Sequence, residues 1–201
     1  MNMRAETTDI ERRRLQVTPA RAIGVFAAAD FPRARTLLDE LSAFADHLDW
    51  LDAREGLHMA LSMSGVDVPM LSVDLRSFVR WCDLSGATRD IRSLDEFAAF
   101  TVDYRCGRLP RALAAIDEFD FARYYCRIDA LADFNDYSTW TIHRSRVRAN
   151  AAEASERVHE LRIPLSKFVD WCACLALRES EPALDRYAQL ALEEFISELA
   201  A

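Results

Sequence analysis

The chain has 201 residues, 51% of them hydrophobic, with 33 acidic and 25 basic side chains for a formal net charge of -8. That length and apolar content suffice for a substantial core. The negative balance, with no basic stripe, argues against nucleic acid and for a basic protein as partner. No run reaches the ~18 apolar residues a membrane span requires, and Glu11-Arg12-Arg13-Arg14 stands where a secretory peptide would be apolar. A cytoplasmic protein is expected. Arg outnumbers Lys so heavily that Lys167 is the single lysine, a skew typical of GC-rich bacterial genomes. The cysteines, at 82, 106, 126, 172 and 174, show no paired zinc spacing and read as reduced thiols.

Sliding the chain ninety residues along itself aligns 21–98 with 111–188 without a gap. About 21 of about 78 positions are identical, where about 5 would arise by chance. This predicts a polar N-terminal tail over 1–15 and two homologous repeats over 16–105 and 106–201. Gly and Pro punctuate the chain at the ends of apolar-periodic stretches. Each repeat then divides into four helices: 19–29, 31–63, 74–85 and 93–105 in the first, and 109–119, 121–160, 164–178 and 182–200 in the second. Asp30 and Asp120 are the expected N-caps of the long helices, and Ser93 with Glu96 has capping-box spacing. An unbroken helix of roughly 40 residues from Phe121 would be about 60 Å long, so a kink or break is expected there. No stretch alternates over strand length, so no sheet is predicted. The predicted fold is all-α: two tandem homologous four-helix modules of ~90 residues packed into one compact helical array.

Within the first long helix, Leu37, Leu41, Phe44, Leu48 and Leu51 form the expected buried stripe. Asp39, Asp46, Trp50 and Arg54 fall opposite it, and the residues ninety further on, Asp129, Asp136, Trp140 and Arg144, are identical to them. Three readings of these eight residues follow. They could be ion pairs packed beneath a neighbouring helix, a groove gripping a basic side chain of a partner, or four carboxylates gathered around divalent cations. The other shared segment, Phe78 to Cys82 and Phe168 to Cys172, has the aromatic spacing of core.

Glu55 with His58 and Glu156 with His159 are Glu-x-x-His pairs, but they lie 101 residues apart and so are not equivalent in a ninety-residue repeat. No metal or other cofactor is predicted from them. The chain also has no Gly-x-Ser-x-Gly elbow, phosphate-binding Gly-rich loop or His-Glu-x-x-His motif, so no catalytic residue is assigned. The composition and the repeat point to a non-enzymatic acidic protein that binds a basic protein partner in an immunity or antitoxin, adaptor or chaperone role. The alternative from another class is a metal-dependent enzyme or small-ligand binder using the groove between repeats.

Overall fold

The computed structural model describes residues 22–108, 110–154 and 157–200. The expected 1–15 tail and Glu156 lie outside the described residues. In chain order the elements are β1 (Ile23–Phe26), α1 (Phe31–Ala34), a 3-10 turn (Asp39–Ala43), α2 (His47–Met63), β2 (Met70–Val73), α3 (Leu75–Ser85) and α4 (Ile91–Arg105). They continue with β3 (Arg111–Ala115), α5 (Glu118–Tyr124), α6 (Asp129–Ala132), α7 (Tyr137–Glu153), β4 (Val158–Arg162), α8 (Leu165–Leu175) and α9 (Glu181–Leu199). The chain divides into two compact units. One holds the described residues up to Val79 together with Thr88–Cys106, and the other holds Arg80–Ala87 with the described residues from Gly107 onward.

Helix dominates as expected, but the prediction of no sheet is wrong. β1 pairs parallel with β2, and β3 pairs parallel with β4. The expected short helices at 19–29 and 109–119 are in fact the sites of β1 and β3. A parallel strand buried on both faces carries no polar alternation, so Ile-Gly-Val-Phe and Arg-Ala-Leu-Ala-Ala cannot be told from helix by period. The Ala-rich β3 even favours helix locally, and tertiary pairing overrides that preference. Ile23 lies opposite Met70 in the first sheet, and Leu113 opposite Glu160 in the second.

The expected long helices are also broken. Leu38 and Phe44 take extended backbone angles (φ -120, ψ 104 and φ -100, ψ 139), so the chain leaves the helix twice before α2 begins at its own cap, Asp46. The second stretch breaks likewise into α5, α6 and α7, in line with the expected break. Asp30 has helical angles and makes no capping bond. Asp117 caps α5 in place of Asp120, whose Oδ2 instead accepts the Leu165 N–H that opens α8, at 3.0 Å. At α4 the cap is Asp90, which accepts the Ser93 N–H at 2.7 Å.

In the first unit, Trp50 stacks between Phe26 and Phe31 with ring centroids 5.7 and 5.4 Å away, and Phe78 meets Phe26 edge-on. Phe78, Cys82, Phe168 and Cys172 are all buried, as their spacing predicts. Trp81 is buried too, whereas Trp171 is only partly so and rests on Tyr187 at 5.3 Å. Helix α4 packs so closely on β1 that a Cβ at Gly24 would fall 2.7 Å from the Leu94 side chain and 2.8 Å from its carbonyl oxygen. Glycine is needed there for the approach of helix to strand.

Candidate functional site

The eight residues read from the sequence do not share one exposed face. Asp39 opens the 3-10 turn and is exposed, separated from α2 by the extended residues before it. Asp46 is the N-cap of α2, its Oδ1 accepting the Asp49 N–H at 3.0 Å. Asp136 caps α7 in the same way, accepting the Thr139 N–H at 2.7 Å and the Thr139 hydroxyl at 2.8 Å. These two bonds hold the Asp136 carboxyl below its ordinary pKa. Asp129 begins α6 and accepts from the exposed Arg178 guanidinium.

One turn inside each cap lies a buried tryptophan, Trp50 or Trp140, and one turn further a buried arginine, Arg54 or Arg144. The expected inner and outer faces are thus reversed around α2, since Leu48 of the predicted apolar stripe is 67% exposed. Because the helix restarts at His47, Leu37, Leu41 and Phe44 are out of phase with Leu48. The large indole and the aliphatic stem of Arg54 take the core side instead.

Side chains of α2, α4 and α9 seal the sheet edges. In a two-stranded sheet, the outer edge of each strand presents backbone groups with no strand to pair with. The Gly24 N–H donates to Asp95 Oδ1 at 2.9 Å, and the Gly24 carbonyl accepts from Arg54 Nη2 at 3.3 Å. Arg54 and Asp95 are themselves in contact. One ion pair therefore satisfies both polar groups of Gly24. His47 Nε2 extends this cover to the Phe26 carbonyl at 3.0 Å. In the second unit, Asp185 Oδ1 accepts the Ala114 N–H at 2.9 Å and Gln189 Oε1 accepts the Ala112 N–H at 2.8 Å. Arg144 pairs with Asp185 and reaches Glu181 at 2.6 Å. Burial raises the Asp95 carboxyl above the usual carboxylate range, outweighing the opposing pull of Arg54 and the Gly24 N–H.

Asp95 and Asp185 were missed by sequence reasoning, although they too stand ninety residues apart and are identical. That identity was the available signal. The second unit adds His143, whose Nε2 lies 3.0 and 3.1 Å from the two Glu181 oxygens; the positions ninety residues earlier are Ala53 and Ile91. Among the described residues no group of three or more His, Cys, Asp or Glu is arranged to hold a metal ion.

His159, half of one Glu-x-x-His pair, lies on β4 opposite Ala112. Burial, with the like charge of Arg157 nearby, pushes its pKa down to about 4. The unfolded chain therefore takes up a proton near pH 6.5 that the folded chain refuses until about pH 4. The neutral imidazole's contribution is complete above pH 6.5 and is lost as the pH falls through that window. Urea denaturation at pH 7.5 and pH 5 should differ by about 2 kcal/mol from this group, and His159→Gln should remove that part of the difference.

No protein-family model matches the chain, and comparisons with curated proteins and with solved structures likewise return no match. No helix among the described residues is long and apolar enough to cross a membrane.

Proposed function

We propose that the chain is a non-enzymatic binding protein for a basic protein partner, in an immunity or antitoxin, adaptor or chaperone role. The observation that supports this reading is the solvent face of α2. It carries Leu48, Met59 and Met63, which are 67, 61 and 89% exposed. Its exposed charges are all acidic: Asp49, Asp52 and Glu55, with the cap Asp46. The only guanidinium of the helix, Arg54, is turned inward and paired. Apolar side chains left in water among charges of one sign are the expected makings of a recognition surface. Among the eight stripe residues, the exposed carboxylates of Asp39, Asp46 and Asp136 add to the attractive field, whereas Asp129 is paired with Arg178.

The same reading takes the chain to be a tandem duplication over 16–105 and 106–201. It is supported by the gapless ninety-residue identity, the matching strand registers and the recurring Asp cap with buried Trp and Arg behind it. Affinity capture with the full chain in its native host, followed by mass spectrometry, tests the function. A basic protein, released as salt is raised, is the expected catch. Recovery of only acidic proteins, or binding indifferent to salt, would count against the reading.

A further inference from the structure

We infer that the exposed face of α2 is a docking surface for a basic amphipathic helix of the partner, an inference that rests on the function proposed above. At 100° per residue, Leu48, Asp52, Glu55, Met59 and Met63 fall within about 80° of one another and so form a single row. All five are exposed. The row runs about 22 Å at 1.5 Å per residue, the length of a four-turn helix. Its order is apolar, acidic, acidic, apolar, apolar. The complement is a helix with Lys or Arg in its middle turns and apolar residues at both ends of the same face. The partner's cations would meet Asp52 and Glu55, while its apolar residues cover Leu48 at one end and Met59 and Met63 at the other. Methionine suits such a surface because its unbranched thioether adapts to varied shapes.

Charge selects this occupant over two others. A second copy laid on the same face would bring Asp52 and Glu55 against their own counterparts, in a molecule already at -8. An anionic membrane surface would repel the same carboxylates, since interfacial helices carry Lys and Arg on the polar face.

The test follows the methyl signals of Met59 and Met63 in the full chain labelled at the methionine methyls. They are titrated with an 18-residue amphipathic Leu/Lys peptide and with its Leu/Glu counterpart. The expected result is a saturable movement of both signals with the Leu/Lys peptide and none with the Leu/Glu peptide. The D52N/E55Q variant should weaken the interaction on the order of fivefold while its melting curve stays unchanged, because both residues are exposed. Still signals, equal movement with both peptides, or no weakening in D52N/E55Q would overturn the inference. So would movement on concentrating the chain alone, which would mark a self-interface, or on adding lipid vesicles. The two proposals fail separately. A basic partner captured from the host equally well by D52N/E55Q would sink the docking surface and leave the function standing. A host that yields no basic partner would sink the function, whatever the peptides show.

Discussion

Arg54→Ala and Arg144→Ala should each destabilise the fold by about 3 to 5 kcal/mol, the cost of breaking a buried ion pair by removing one partner. The loss at Arg54 has two parts. Asp95 loses its counter-charge in a site that already disfavours ionisation, and the Gly24 carbonyl on the β1 edge loses its donor. Arg144→Ala removes the cation from between Glu181 and Asp185, leaving two carboxylates facing the same emptied site. Urea denaturation at neutral pH measures both. A paired comparison separates the ion pair from the edge seal: Asp95→Asn keeps an acceptor for the Gly24 N–H, whereas Asp95→Leu orphans that amide at a further cost of about 1 to 3 kcal/mol. Equal losses in the two Asp95 variants would show that the edge bond contributes nothing. Losses under about 1 kcal/mol in both arginine variants would place the pairs with ordinary surface ion pairs.

How far the sequence carried depended on the scale of the interaction responsible. Helices α3, α4, α8 and α9 were legible to within two or three residues because each has an apolar period of its own, although the cap of α4 is Asp90 and not the expected Ser93. The helix breaks around Asp46 were written in the chain as well, since an Asp whose carboxylate can accept the N–H three residues on is a helix start. That signal was overridden by an apolar period that runs on by coincidence from Leu37 to Leu51. The sheets were not legible. Their strands are four or five residues long, they pair residues 47 apart in sequence, and the largely buried β1 and β3 lack the alternation that would mark a half-exposed strand. The ninety-residue offset picked out Asp46, Trp50, Arg54 and their counterparts as residues under a shared constraint, but the nature of the constraint was hidden. What Arg54 does is set by Gly24 and Asp95, which lie 30 and 41 residues away in sequence. A polar residue that closes a sheet edge and one that grips a partner look alike until the strand is known to be there.

Trp50→Ala and Trp140→Ala should each cost about 3 to 5 kcal/mol, as expected for emptying a fully buried aromatic site. The conservative variants should then diverge, because the two indoles are held differently. Trp50 is held by its faces, between Phe26 and Phe31, and its buried indole Nε1 has no hydrogen-bond partner among the described residues. Trp50→Phe gives up ring area but no hydrogen bond, and it relieves a buried unpaired donor, so the change recovers much of the alanine loss. Trp140 meets Phe134 edge-on at 5.1 Å, and the Arg144 guanidinium lies over its ring at 5.2 Å. A benzyl ring is a weaker partner for that cation, which adds roughly 0.5 to 2 kcal/mol to the cost of Trp140→Phe. Trp140→Phe should therefore melt below Trp50→Phe, and the gap should shrink when each is combined with Arg144→Ala. A gap that survives Arg144→Ala at full size would show that ring volume, and not the stacked guanidinium, sets the difference.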